Sequence, residues 1–554
     1  MAYQIYKVEK PAGVNFSLEP SQLDSVVWDE ASEVSFKHGK TKKVSGYEQG
    51  LGMTGSGNDG SIYPELLLPL RDDTDENYWW AYASTNTDGT GNIHRIVTKD
   101  LHQDVTPLAG IPSEPDYRWF GDSINGVPYF QKAKPYVWDG VSKFEELSTF
   151  PSHVKAQVMR TYGNHMVAMD FHVDNFTPPS DPQTPEEEYE ALFSPWNEGR
   201  HRSAVWWSSA INTKDLTVSW ADADPTTESG WNFLGGNGGP ILGGRAMRES
   251  MIIYRERAVW QMSYVGGILV FAFKELFNDV GILGPDCAVE IDGYHFVVGQ
   301  SDIYMHNGVH KESVADGIIR NKIFDSIDPD HIDKVFVAVR YQEKEAWVCI
   351  PEASTNNNGR CNIAYVYNWE ERHWSKRDMP DSLTSTYTIL SIAEGDITWE
   401  AESEDASWEE ATDTWISSYF KYNSSQWGLA FGGVTDEGLG AVYTTIDEPT
   451  WDGDNFEATV EKKWMDMEDY STTKTLNKIW PLVRGGEVDV YVSGSETTSQ
   501  APKWRYVGRF DPNKRANLGC TATGKFLHVK FVIPEKSRAE IRGYWLEYKA
   551  TGSR

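Results

Sequence analysis

The chain has 554 residues, 40% of them hydrophobic, with 51 basic and 82 acidic residues and a formal net charge of −31. This length exceeds one compact core and predicts two to four structural units. The charge argues against a protein that grips nucleic acid by its phosphates, since that requires clustered Lys and Arg. It does not exclude a channel past which nucleic acid slides, because acidic walls repel phosphates.

The sequence predicts neither a membrane span nor a signal peptide. The longest run without a polar side chain, 265–273, is far shorter than the roughly 20 residues of a spanning helix. Residues 1–10 lack an apolar core, so we expect a protein made in a cytosol. The four cysteines have no CxxC spacing, which argues against a disulfide framework or a zinc site.

Residues 1–24 are mixed and contain proline, and we interpret them as an N-terminal arm that either contacts a neighbour or is loosely ordered. From Ser25 the sequence predicts short strands separated by Gly and Asn-Gly turns, such as Asn125-Gly126. Residues 50–55 spell GxGxxG, but loop-forming residues follow. A dinucleotide site requires a helix there, so we set that interpretation aside.

Hairpins with similar endings recur along residues 25–394, at 136–140, 303–308 and, more loosely, 364–368. Small antiparallel sheets repeated in this way are typical of propeller blades. The sequence therefore predicts an all-β fold, a β-propeller-like ring of antiparallel blades.

Two segments interrupt this pattern. An extended loop at 173–200 is rich in Pro and acid, so it is either a solvated surface loop or a contact or gating loop. Residues 395–455 form a Trp-rich acidic insertion, whose tryptophans either dock on a neighbouring subunit or plug the base of a blade. Residues 456–554 return to strands, as a C-terminal β-domain or as ring-closing blades. The candidate gate or subunit-contact residues are Asp174, Pro178, Pro179, Glu186, Glu187, Glu188, Trp399, Trp408 and Trp415.

Fragments of catalytic motifs occur, but none is complete. Ser123 follows Gly-Asp, and Asp328 with His331 forms an Asp-x-x-His pair, as in one class of serine esterases. That class places its serine on a strand-to-helix turn, whereas Ser123 leads into a predicted hairpin. Residues 73–77 begin like a calcium loop and then lack its Gly and closing Glu. We predict no enzyme, no metal site and no cofactor.

The segment 254–308 carries a resemblance to a known family. Its order of residues, with Ala258-Val-Trp260, Gly281-Ile-Leu-Gly-Pro285 and Asp302-Ile-Tyr304, resembles the nozzle, or tail tubular B, proteins of short-tailed bacteriophages. The similarity continues in matching order from about Ser25 to the C-terminus, for example in Gly543-Tyr-Trp-Leu-Glu-Tyr548.

The resemblance implies a structural virion protein, assembled in the host cytoplasm, that forms a hexameric ring at the distal end of the tail. Its partners would be an adaptor protein and through it the portal, together with tail fibres or spikes. DNA would be retained in the channel and then conducted through it without sequence-specific binding. The alternative is a carbohydrate-binding or glycan-degrading β-propeller, because the 23 Trp and 27 Tyr residues also suit sugar sites.

Overall fold

Nearly all regular structure in the chain is β-strand. The computed structural model describes residues 3–11, 13–18, 22–56, 59–71, 78–99, 101–138, 142–174, 183, 198–212, 216, 220, 228–355, 358–389 and 427–553. Within these ranges there is one α-helix, α1 (Arg320–Ser326), and two short 3-10 helices, Gly267–Leu269 and Pro329–Lys334. The predicted all-β class is confirmed.

Five short strands open the chain: β1 (Gln4–Glu9), β2 (Glu30–Ser32), β3 (Val34–Lys37), β4 (Lys40–Lys43) and β5 (Tyr47–Glu48). None of the five belongs to a sheet made only by its neighbours in sequence. β1 and β4 pair with the last strand of the chain, β2 pairs with a strand that begins at Ala458, and β5 pairs with a strand that ends at Thr445.

Five four-stranded antiparallel sheets then follow along the chain, each with its strands in sequential order. Blade 1 is β6 (Leu66–Arg71), β7 (Tyr78–Thr85), β8 (Gly91–Thr98) and β9 (Leu101–Asp104). Blade 2 is β10 (Phe120–Ile124), β11 (Val127–Lys132), β12 (Lys134–Trp138) and β13 (Phe144–Glu146). Blade 3 is β14 (Val154–Tyr162), β15 (His165–Val173), β16 (Gly199–Trp207) and β17 (Gly230–Phe233). Blade 4 is β18 (Ile241–Met247), β19 (Ser250–Arg255), β20 (Val259–Tyr264) and β21 (Phe271–Phe277), and blade 5 is β22 (Ala288–Ile291), β23 (Tyr294–Val298), β24 (Ile303–His306) and β25 (Lys311–Ser313).

The next sheet has nine strands and supplies two blades. It contains β26 (Phe336–Arg340), β27 (Glu345–Ile350), β28 (Cys361–Asn368), β29 (His373–Ile389), β30 (Trp427–Val434), β31 (Gly440–Thr445), β32 (Thr450–Trp451) and β33 (Asp454–Asn455), together with β5. The long strand β29 pairs with β28 as far as Ser382 and with β30 from Ser382 onward. Its first half therefore ends blade 6, and its second half begins blade 7.

The seven blades close into a ring. The first strand of each blade contacts the first strand of the next, in the order β6, β10, β14, β18, β22, β26 and the second half of β29, which contacts β6 again. Blade 7 takes its fourth strand, β5, from the start of the chain. Closure of this kind leaves no open end where the first and last blades meet, since their edges are hydrogen-bonded or packed.

The tight turns follow from local sequence. At Asn125-Gly126 both residues have positive φ, 50° and 77°, and at Asp292-Gly293 the angles are 49° and 81°. These are the angles of a type I′ turn, which Asn-Gly and Asp-Gly adopt with little strain. The hairpin turn predicted at Asn125-Gly126 is confirmed.

The last hundred residues form a β-sandwich with the first forty-three. Its strands are β34 (Ala458–Met465), β35 (Thr472–Arg484), β36 (Val488–Ser495), β37 (Arg505–Phe510), β38 (Leu518–Gly524), β39 (Phe526–Ile533) and β40 (Glu540–Ser553). One sheet has the order β3-β4-β40-β35-β38, with β1 also on β40, and the other has the order β2-β34-β39-β36-β37.

The strand pairing moves two predicted boundaries. Residues 30–43 were expected among the blades, but they belong to the sandwich, because Trp28 beside them is buried against Phe531 and Tyr544. Residues 427–455 were expected in a separate insertion, but they form strands of the nine-stranded sheet. The sandwich strands within 458–553 do not close the ring. Instead, β5 pairs with β31 and completes blade 7.

Propeller and sandwich share one continuous hydrophobic core. A single buried cluster runs from Val8 and Leu546 in the sandwich to Ile303 and Ile350 in blades 5 and 6. Trp374 lies within this cluster, packs 5.0 Å from the ring of Tyr367, and donates its indole N–H to a backbone oxygen of blade 5. We therefore expect the two parts to unfold together.

Candidate functional site

The two faces of the propeller differ in construction. Residues at the starts of neighbouring innermost strands meet, as Leu66 and Gly121 do, so these strands run in one direction around the ring. The turns after the first and third strands of each blade consequently lie on one face, which we call the turn face. It includes Asp292-Gly293 and the turn 341–344. The opposite face, which carries the other connections, we call the connection face.

Exposed apolar side chains are concentrated on the turn face. Of the 17 large hydrophobic side chains that are exposed among the described residues, eight lie at its turns and four on the connection face. The eight are Leu101, Tyr264, Val265, Leu269, Tyr294, Val309, Tyr341 and Trp427, and the four are Tyr63, Leu108, Phe233 and Ile332. Clusters of exposed apolar groups mark interaction sites on soluble proteins.

Hydrogen bonds between blades hold this face together. The Tyr162 hydroxyl of blade 3 donates to the Glu249 carbonyl of blade 4 over 2.6 Å, and the Tyr341 hydroxyl of blade 6 donates to the Glu290 carbonyl of blade 5 over 2.8 Å. Tyr387 of blade 7 packs on Tyr341, with ring centroids 5.1 Å apart. The turn face is thus a cross-linked surface, suited to present side chains in fixed positions.

Only one of the nine candidate gate or subunit-contact residues is described. Asp174 lies at the connection face, where its carboxylate forms an ion pair with Lys155 at 3.1 Å and lies 2.9 Å from Nε2 of His172. The other eight lie outside the described residues: Pro178, Pro179, Glu186, Glu187, Glu188, Trp399, Trp408 and Trp415.

The flanks of the two predicted segments nevertheless locate their roots. Val173 pairs with Gly199, at the connection-face end of blade 3. Ile389 pairs with Trp427, at the turn-face end of blade 7. The Pro-rich acidic loop and the Trp-rich segment therefore leave the propeller from opposite faces. The predicted candidates in the loop at 173–200 and those in the Trp-rich segment therefore belong to segments that begin on different faces of the propeller.

A buried group of charges joins propeller and sandwich. Arg377, 2% exposed, lies with its guanidinium 4.2 Å from the ring of Trp347 and donates to the Ser45 carbonyl over 2.8 Å. Glu33 on the sandwich side accepts from the Asp378 backbone N–H over 2.6 Å. Burial raises the pKa of Glu33 to about 8, against the opposing effect of Arg377. Burial also raises the pKa of Glu345, which accepts from the Trp347 indole.

Arg377 and Glu345 border a cavity of about 290 Å³ between the two parts, lined also by Lys42, Arg340 and Arg538. Most of its charged groups already have partners. The Glu343 carboxylate pairs with Lys37 at 2.9 Å, and the Lys43 ammonium donates to three backbone carbonyls, including that of Phe456. The sequence offered no indication of this group, because its members come from segments more than 300 residues apart.

The esterase-like fragments are not brought together in the described part of the chain. Ser123 lies on β10 and its backbone N–H bonds Asp122, while His331 bonds Asp328 over 2.8 Å in the 3-10 helix before β26. Within the described residues, no hydrogen bond or ion pair joins Ser123 to His331. The GxGxxG residues lie between β5 and β6, and no helix lies between these two strands in the described ranges.

Buried histidines form hydrogen-bonded clusters. The Tyr254 hydroxyl lies 2.7 Å from both His295 Nδ1 and His306 Nε2, across blades 4 and 5. Burial lowers the pKa of His295 to about 4 and that of His306 to about 3, so both are neutral at pH 7. No group of three or more possible metal ligands occurs among the described residues. No helix within those residues is long and apolar enough to span a membrane.

The strand pairing and the ring closure define the class of this molecule, a seven-bladed β-propeller completed by a β-sandwich. Similar solved structures include the Neurospora crassa Pan2 WD40 domain, at 6% identity and a TM-score of 0.35, covering 70% of this chain and 91% of that one. Kluyveromyces lactis Hsv2p follows at 11% identity, a TM-score of 0.25 and coverage of 54% and 81%. A luciferin-regenerating enzyme has 10% identity, a TM-score of 0.27 and coverage of 56% and 90%.

These low scores carry no functional argument. No protein-family model and no curated protein sequence matches the chain.

Proposed function

We propose that this chain is a structural protein of a phage tail nozzle, one subunit of a hexameric ring that retains genomic DNA and then conducts it. The observation that carries the proposal is the exposed apolar turn face. A free-standing soluble protein gains nothing from presenting such groups, whereas a subunit of a larger assembly buries them.

The turn face and the family resemblance fall on the same part of the chain. Four of the eight exposed apolar residues, Tyr264, Val265, Leu269 and Tyr294, belong to the segment 254–308, and Val309 directly follows it. That segment spans the second half of blade 4 and most of blade 5. The residues that resemble nozzle proteins thus include those best placed to dock a neighbour, an adaptor or a fibre.

The acidic balance fits a conducting role. A strongly negative wall repels phosphates and lowers friction for DNA that passes without specific binding. Gating, in this proposal, is performed by the loop at 173–200 or by the Trp-rich segment, with Asp174, Glu186, Trp399 and Trp408 among the contact residues. Deletion of 173–190 with normal assembly and normal DNA retention would remove that loop from the mechanism.

The direct test introduces charge on the turn face. Leu269→Glu and Val309→Glu, at side chains 73% and 74% exposed, should leave folding intact and abolish incorporation into tails assembled with the adaptor and portal. Leu108→Glu is the matched control, because Leu108 is 91% exposed on the connection face. Tails that incorporate the double variant as well as the control would contradict the proposal.

A second candidate function has its own support in the aromatic members of the same face. Tyr264, Tyr294, Tyr341 and Trp427 are all exposed, and flat aromatic rings at fixed spacing also stack on sugar rings. A carbohydrate-binding or glycan-degrading propeller would be retained on a surface polysaccharide and lose retention in Tyr264→Ala and Tyr294→Ala. The nozzle proposal expects no retention in either form.

A further inference from the structure

The net charge of −31 is divided unequally between the two parts of the molecule. The propeller, residues 44–455, contains 28 basic and 64 acidic residues and has a net charge of −36. The sandwich, residues 1–43 and 456–554, contains 23 basic and 18 acidic residues and has a net charge of +5. This division becomes visible only once the strand pairing assigns residues 1–43 to the sandwich.

The positive charge of the sandwich includes one of its edges. Strand β37 ends its sheet and is hydrogen-bonded, within the described residues, to β36 only. The residues 503–515 around it contain five basic side chains and one acidic one. Two aromatic residues are interleaved, Tyr506, which is 52% exposed, and the half-buried Trp504.

Two of the five basic side chains form ion pairs with carboxylates of the sandwich. Arg509 makes a bidentate pair with Asp489, at 2.9 and 2.8 Å, and Lys514 pairs with Asp511 at 2.8 Å. The Asp489 pairing fixes the strand, since the Tyr506 hydroxyl donates to the same carboxylate over 3.0 Å. Lys503, Arg505 and Arg515 are exposed and take part in no ion pair with the described residues.

We infer that the β37 edge is a docking surface for the acidic propeller of a second copy of this chain. The exposed Arg505 and Tyr506 on this strand, with the half-buried Trp504 just before it, are of the residue types that supply most binding energy at interfaces. A molecule with one positive and one strongly negative part associates head to tail, and a head-to-tail contact generates a ring when its rotation closes. The ring geometry rests on the proposed function, whereas the contact itself rests on the charges.

Nucleic acid is the other partner that a basic, aromatic edge could hold. The observations favour the second copy, because the chain's net charge of −31 repels a polyanion as long as DNA. An acidic surface of limited extent on a second copy can contact the β37 edge without approaching the propeller of the copy to which that edge belongs. Salt screening limits electrostatic attraction and repulsion to about 10 Å at 0.1 M salt. The charges next to the β37 edge therefore decide which partner binds there.

The test is zero-length carbodiimide cross-linking of the full chain, with mixed light- and heavy-isotope copies, so that links between copies are recognised by mass. We expect links from Lys503 of one copy to carboxylates within residues 44–455 of another, abundant at about 50 mM salt and lost at about 500 mM. Sedimentation velocity should show Lys503→Glu/Arg505→Glu/Arg515→Glu weakening self-association at least about tenfold.

The matched control is Lys10→Glu/Lys322→Glu/Lys536→Glu, which makes the same change in net charge at exposed lysines away from β37. Equal association of the two triple variants, links that avoid 503–515, or no links at all would overturn the inference, as would DNA binding that competes for the edge. Failure of the proposed function looks different: the cross-links form in solution, but the chain does not enter tails. The converse result, incorporation into tails without these links, rejects only the docking surface.

Discussion

Glu33 offers the sharpest test of how propeller and sandwich are joined. Its carboxyl group is 4% exposed, accepts from the Asp378 backbone N–H, and has one oxygen without a hydrogen-bond partner in the described structure. Glu33→Gln retains the shape and the accepting oxygen and removes the ionisable group. We expect the variant to differ from the parent in the pH dependence of unfolding far more than in structure.

The direction and size follow from linkage. Burial raises the pKa of Glu33 from its ordinary value of 4.5 to about 8. Between these values the folded state holds a proton that the unfolded state has released, so the free energy of unfolding falls as pH rises through this window. From about pH 6 to about pH 8 the loss attributable to Glu33 is about 2 kcal/mol, at 1.36 kcal/mol per unit of pKa difference.

The assay is urea unfolding of the parent and of Glu33→Gln at several pH values across this window. In the variant, the free energy of unfolding should fall less steeply with pH, because the Glu33 contribution is gone. The difference in stability, variant minus parent, should therefore be larger at about pH 8 than at about pH 6. Glu535→Gln, at an exposed carboxylate of the sandwich, is the control and should retain the parent's slope. An unchanged slope in Glu33→Gln would refute the reasoning, because the carboxyl would then be ionised in the folded protein.

Three further predictions concern the same architecture. Arg377→Met should destabilise the protein by about 1–3 kcal/mol at pH 8, measured by urea unfolding, since it leaves the Ser45 carbonyl without its donor, whereas Arg257→Met at a 70% exposed side chain should cost less than about 1 kcal/mol. Trp374→Ala should cost about 3–5 kcal/mol and preserve a single calorimetric transition, and two separate transitions would contradict a shared core. All four thiols should resist Ellman's reagent at pH 8 until the chain unfolds, because burial raises the pKa of Cys287 and Cys520 to about 12, and fast labelling of the native protein would contradict this.

Local features of the fold could be predicted from sequence because they are encoded locally. Alternation of apolar residues with Gly and Asn-Gly turns identified the strands of blades 2 and 5, and Asn125-Gly126 required no information from elsewhere in the chain. The propeller-like ring followed from repetition of that pattern. Each of these inferences concerned residues close together in sequence.

The errors concerned pairing over long distances. Residues 30–43 look like strands of a first blade, and nothing in their sequence states that β4 pairs with β40, five hundred residues away. Similarly, β5 gives no sign that it completes blade 7, or Glu33 that it lies beside Arg377. The turn face was missed for the same reason, since Leu269 and Val309 become members of one surface only when the blades are stacked around the ring.

The central claim, that this propeller is a subunit of a tail nozzle, is tested most directly by the mass of the chain in solution. Light scattering should be performed on the purified protein alone and after mixing with the adaptor and portal proteins of a short-tailed phage. We expect a ring, or a monomer that joins a ring on the adaptor–portal template. A monomer that does not bind the tail proteins and is retained on polysaccharide would contradict the claim that this chain is a nozzle subunit.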